Sequence, residues 1–208
     1  MGLELHYSKG QTPIDEEEKE DLLLLTISTR GELDEFERRN IDQALKWSLN
    51  NSISRDEVLS IEFIKELHRR MFSEVWGWAG TFRRSNKNIR VDKFIIEQEL
   101  LKLTDDCRYW ISNKVYSEDE IAIRYKFRLV SIHPFPNGNG RHSRISGDIL
   151  VSHVLGRPVF PWGGKRIEEE GETRRKYLKA LHEADQGDIV ALLKFARSGA
   201  SLVSDHPE

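Results

Sequence analysis

Residues 133–144 read His-Pro-Phe-Pro-Asn-Gly-Asn-Gly-Arg-His-Ser-Arg. No other segment of the 208 residues concentrates backbone constraints and reactive groups in this way. A helical pattern carries Ala122, Tyr125, Leu129 and Ile132 toward a core and then meets Pro134. Proline disfavours helical geometry at the residue before it, so that helix must end at His133. Gly138 and Gly140 permit backbone angles closed to other residues. A second helix is expected to start within 140–144, continue through Ile145, Ile149 and Val154, and stop at Gly156-Arg157-Pro158. The stretch is helix, tight loop, helix.

That geometry suits an anion. Successive N–H groups of a glycine loop form a nest, and the following helix adds the positive end of its dipole. Arg141 and Arg144 lie three residues apart at the helix start, so both can reach one bound di- or triphosphate. His133 stands just before the loop, where an imidazole can act as general base on an attacking hydroxyl. Pro134 and Phe135 are expected to pack the loop onto the core, with His142 and Ser143 structural or exposed. Rival motifs fail. Gly138-x-Gly140-x-x-Ser143 follows a helix rather than a strand and lacks the third glycine of a dinucleotide fingerprint. Gly163-Gly164-Lys165-Arg166 lacks the other parts of a P-loop, and there is no HExxH, CxxC or carboxylate cluster of metal-ligand spacing.

The rest of the chain reads as an all-α domain with one small β element. An acidic helix start lies near Asp15–Glu20. Leu33, Phe36, Ile41, Ala44, Leu45 and Leu49 then follow the helical template, with Gly31 separating a short first helix from a longer one. Ser54-x-x-Glu57 and Ser117-x-x-Glu120 are capping boxes. Ile61, Ile64, Leu67, His68 and Met71 mark a buried face, on which His68 reads as a hydrogen-bonded core histidine. Residues 82–94 alternate polar and β-branched types and suggest a short hairpin. Further helices are expected at about 168–184 and 188–198. A net charge of −3 gives no global reason to expect nucleic acid. The single cysteine, Cys107, excludes an internal disulfide and suits a reducing, cytoplasmic setting as a buried apolar residue. Neither a targeting signal nor a membrane-length apolar run is evident.

The motif HPFPNGNGRHSR closely resembles the core motif of the Fic (Fic/Doc) family, HxFx(D/E)GNGRxxR. Trp78-Ala79-Gly80-Thr81-Phe82-Arg83 looks like that family's segment before a flap, and Tyr177–Leu181 with Ala184–Asp188 looks like its C-terminal helices. Thr29–Glu37 is similar to the subgroup called mobile mystery protein B. The resemblance implies a Fic-type helical bundle with a β-hairpin flap. Its parts would be an arm and helical extension at 1–53 (an inhibitory helix at about 22–36), a Fic core at 54–199 and a polar tail at 200–208. It implies transfer of AMP from ATP, with Mg2+ or Mn2+, to a Tyr, Ser or Thr hydroxyl of a target protein. His133 would be the base. Gly138, Asn139, Gly140 and Arg141 would cradle phosphates, and Arg144 would take the γ-phosphate. Asn88, Ile89, Arg90 and Val91 would dock the target in strand-like pairing.

Asn137 replaces the family's metal-holding acid, and an amide oxygen ligates a cation without adding charge. That substitution keeps open another nucleotide donor, or a member that binds nucleotide or protein without turnover. Gly140 favours nucleotidyl over phosphoryl transfer by the same comparison. Ser28-Thr29-Arg30-Gly31-Glu32 matches the family's inhibitory [S/T]xxxE[G/N] up to Leu33. Glu32 could pair with Arg144, or be an ordinary helix-start glutamate. The resemblance also suggests a bacterial setting, a small helix-turn-helix partner and a homodimer, with no direct nucleic-acid or membrane binding.

Overall fold

A computed structural model of the chain describes residues 16–199 except 25, 28, 87–90, 165–166 and 168–170, with the side chains of 17 and 18 also left aside. Among the described residues the fold is all-α and contains no strand; one isolated bridge pairs Leu22 with Trp76. The chain divides into two compact units, residues 1–157 and 158–208.

The first unit begins with the single turn α1 (Glu16–Lys19) and the long α2 (Arg30–Asn50). Gly31 does not separate two helices. Thr29 caps α2 and Glu32 returns the bond in a capping box, so the helix starts before the glycine and carries it in its first turn. Leu22 is drawn away from helical geometry by bonds to 75–77: Leu23 N–H donates to Val75 O (2.9 Å) and Gly77 N–H to Asp21 O (2.8 Å). The buried stripe of α2 is Leu33, Glu37, Asn40, Ala44 and Ser48, more polar than the expected face, while Phe36 and Leu49 are exposed.

Ser54 and Glu57 form the expected box, but it opens only one turn, α3 (Arg55–Val58). Ser60 caps a separate helix, α4 (Ile61–Phe72), which buries Ile64, Leu67, His68 and Met71 completely. Each such aliphatic side chain contributes about 1.5–3 kcal/mol of apolar burial. A short 3-10 turn (Lys93–Ile95) leads into α5 (Ile96–Asn113). Ser117 caps α6 (Glu118–Ile132), although here Glu120 turns to Arg124 rather than completing a box. The helix after the loop, α7 (Asn139–Ile149), runs into a π turn at Leu150–Val154. Packing of α2 on α4, α5 on α6 and α6 on α7 builds the core around the central loop. Cys107 is buried on α5, and burial pushes its thiol up to about 12.

The hairpin expected at 82–94 is not seen: its described residues form bends and the 3-10 turn, and Asn88, Ile89 and Arg90 lie outside the described residues. The second unit holds α8 (Glu172–Asp185) and α9 (Ile189–Arg197), with Asp188 capping α9 and Trp162, Tyr177 and Phe195 packed between them. No described helix is long and apolar enough to cross a membrane.

Candidate active site

His133 ends α6 in the left-handed conformation (φ 54°, ψ 58°), a state that a non-glycine residue holds only when its surroundings impose it. Its N–H donates to Leu129 O (3.3 Å) and its carbonyl accepts from Arg83 Nε (2.8 Å). The next residues are clamped as well. The Asn139 side chain closes the loop, accepting from Phe135 N–H (3.0 Å) and donating to Phe135 O (2.8 Å). Phe135 is fully buried and stacks on His68 with centroids 3.7 Å apart.

His68 itself spans two segments. Gly80 N–H donates to Nδ1 (2.9 Å), so that nitrogen carries no proton, and Nε2–H donates to Asn137 O (3.1 Å). Burial, then the nearby His142 ring, holds the His68 imidazole well below the usual histidine range, which keeps this tautomer neutral. His142, also fully buried, donates from Nε2 to Ile64 O (2.9 Å) and is pushed down to about 3 by burial. Phe135, His142 and Ser143 are therefore structural.

Past Asn137 the chain turns through Gly138 at φ +75°. A Cβ there would meet the Phe72 ring at 2.5 Å, so both angle and space require glycine. Gly140 differs from its expected role. It lies inside α7 without a positive φ, and a Cβ on it would meet nothing within 4 Å. It leaves open room at the helix start rather than enabling a special angle. The first amides of α7, Asn139 to Arg141, have no carbonyl four residues back within the helix, so geometry leaves them for a ligand. Arg141 and Arg144 follow on the same helix, both half-buried.

Arg141 meets a residue missed in the sequence. Its Nη1 donates to Glu37 Oε2 at 2.6 Å while Glu37 Oε1 accepts from Trp76 Nε1 at 2.7 Å. Glu37 is only 2% exposed. A signal was available: Leu33, Glu37, Asn40 and Ala44 share one helical face, and a carboxylate on a buried face needs a partner. The Glu32 carboxylate accepts from Thr29 N–H (3.0 Å), and Ser28, the start of that motif, lies outside the described residues. Val91 is buried, and its carbonyl accepts from Arg83 Nη2.

Among the described residues the loop presents no acidic side chain at position 137 to hold a cation. The Asn137 amide oxygen accepts from Gly138 N–H (2.6 Å), and among the described residues no three His, Cys, Asp or Glu side chains are grouped to hold a metal. What the loop offers is a histidine with a clamped backbone, next to a helix N-terminus that carries two arginines.

Comparison with known proteins agrees with that geometry. Residues 58–151 match the model of the Fic/DOC family. A protein adenylyltransferase Fic from Nematostella vectensis is 27% identical over 175 residues, covering 82% of this chain and 39% of that protein. One from Drosophila willistoni is 31% identical over 160 residues, covering 74% and 30%. The chain thus spans less than half the length of these curated relatives. Among solved structures, Fic-1 (residues 134–508) from C. elegans superposes with a TM-score of 0.62 at 26% identity, over 76% of this chain and 46% of that one. The BepC protein from Bartonella tribocorum, determined with bound AMPPNP, gives a TM-score of 0.64 at 17% identity, over 88% and 97%.

Proposed function

We propose that this chain, whose residues 58–151 match the Fic/DOC family model, is a protein adenylyltransferase. The observation that carries this reading is the juxtaposition of His133 with the open start of α7. The relatives named adenylyltransferase and the AMPPNP-bound neighbour support ATP as the donor. ATP lies with its phosphates on the amides of 139–141, where Arg141 and Arg144 offset their charge. His133 takes the proton of a Tyr, Ser or Thr hydroxyl, whose oxygen attacks the α-phosphorus. That P–O bond forms as the bond to pyrophosphate breaks, and the imidazolium then releases its proton. Residues 88–91 dock the target segment. The hairpin flap, the boundaries 1–53, 54–199 and 200–208, and an inhibitory Glu32 belong to the same proposal. So do a bacterial cytoplasmic setting, the mobile mystery protein B subgroup, a helix-turn-helix partner and a homodimer. Mg2+ or Mn2+ would arrive on the nucleotide's own phosphates, and no step is assigned to a protein-held ion.

Incubation with labelled ATP, Mg2+ or Mn2+ and cell lysate tests this reading. Transfer to protein that disappears in His133→Ala supports it, and absence of transfer with any donor, even in Glu32→Gly, overturns it. The inhibitory role of Glu32 is lost if Glu32→Gly raises neither self-modification nor ATP binding.

A second reading, nucleotide binding with weak turnover, draws on one observation. Asn137 spends its side-chain oxygen on Gly138 N–H. Asn137→Asp separates the two: restored metal-dependent transfer would identify the amide as the defect.

A further inference from the structure

Arg83 is 3% exposed, and its guanidinium reaches three backbone carbonyls. Nε donates to His133 O at 2.8 Å, Nη1 to Ser85 O at 2.7 Å and Nη2 to Val91 O at 2.5 Å. Its own N–H donates to Pro134 O at 2.9 Å. One side chain thus joins His133, the C-cap of α6, to Ser85 and Val91 on either side of residues 86–90. The arginine fork suits this task, since its donors diverge in one rigid plane, whereas a lysine offers a point charge on a flexible stem. The root of the segment is closed around it. Asn86 Nδ2 donates to Asp92 Oδ2 (2.7 Å), Lys93 N–H donates to Asn86 Oδ1 (2.8 Å), and Lys93 Nζ reaches Arg84 O (2.7 Å).

We propose that Arg83 is a positioning residue which sets the left-handed backbone of His133 and the spacing of the 85–91 segment together. A single guanidinium thereby ties the carbonyl of the proposed base to Ser85 and Val91, on either side of residues 86–90. This rests on the reading above, in which His133 is the base and residues 88–91 receive the target. A left-handed non-glycine residue persists only when neighbours over-determine it, and Arg83 supplies the bond on the carbonyl side. Burying a guanidinium is costly, and this one is placed where two distant segments of the site meet.

The test is Arg83→Lys, read by hydrogen exchange, nucleotide binding and transfer kinetics. Exchange should rise in peptides covering 82–95 and 131–138 together and stay unchanged in α5. In the folded variant, kcat should fall about 30-fold or more and the target KM should rise, while the ATP Kd stays within about threefold, since sub-ångström misplacement acts on chemistry before binding. Exchange that rises uniformly, or in only one of the two segments, overturns the coupling, as does an unchanged kcat. If the unaltered chain transfers no nucleotide, the transferase reading falls, and the exchange pattern alone decides the role of Arg83. If Arg83→Lys does not fold, Asn86→Ala loosens the root while keeping the guanidinium. Exchange rising at 131–138 as well as 82–95 then supports the coupling, and a rise confined to 82–95 overturns it.

Discussion

The two arms of the central loop are built on opposite principles. From His133 to Asn137 the backbone is held on every side: Arg83 takes the His133 carbonyl, Asn139 brackets Phe135, and His68 takes the Asn137 carbonyl. From Gly138 to Arg144 the chain opens into a helix start with free space over Gly140. The difference teaches where order is needed. In the proposed reaction the His133 imidazole must be placed to within a fraction of an ångström, and an over-determined arm suits that task. The proposed phosphate cradle must admit and release a ligand, which suits a helix start whose first amides lack intrahelical partners.

The largest expected effect lies on the clamped arm. His133→Ala should lower labelled AMP transfer by at least about 100-fold while leaving ATP binding intact, as deletion of a general base does. Comparable loss of ATP binding by isothermal titration would break the division between the arms. Next, Glu37→Ala should lower stability by about 3–5 kcal/mol in urea denaturation, because it strands a half-buried Arg141 and an indole N–H. Gly138→Ala should cost roughly 2–4 kcal/mol, combining a left-handed backbone angle with the clash on Phe72.

Acidity offers a smaller, graded effect. His142 is neutral when folded, with a value of about 3, but takes a proton near 6.5 when unfolded. The unfolded state therefore binds the extra proton, and stability is complete above about pH 6.5 and declines as pH falls toward 3, by roughly tenfold in the folding equilibrium per unit. Thermal melts between pH 7 and 4 should show a shallower decline in His142→Gln than in the parent chain. The smallest change is Gly140→Ala, which should gain about 0.5–1 kcal/mol as a helical alanine. It should nonetheless weaken ATP binding, because its methyl enters the open space. A stabilised variant with unchanged ATP affinity would show that the space is not the nucleotide site.

Much of this fold is legible in the sequence. The halt of α6 at His133 and the helix that follows were set by local rules about proline and glycine. So were the caps at Ser54 and Ser117 and the burial of Ile64, Leu67 and His68, which follow from cap chemistry and apolar period. The failures share a cause. Low helix propensity makes Gly31 a candidate break, but the Thr29 cap beside it starts α2 one residue earlier. Phe36 and Leu49 fit the apolar period yet are exposed, because α2 turns Glu37, Asn40 and Ser48 inward. Leu22 is a bridge residue only because Trp76 lies opposite.

Local sequence rules were enough for the helix–loop–helix of residues 133–144, because backbone sterics and dipoles operate over a few residues. Tertiary structure alone decided who holds them. Glu37 reaches Arg141 across 104 positions, His68 reaches Asn137 across 69, and Arg83 reaches His133 across 50. Those pairings depend on how helices pack, and a hydrogen bond between distant residues leaves no periodic mark in the chain that makes it.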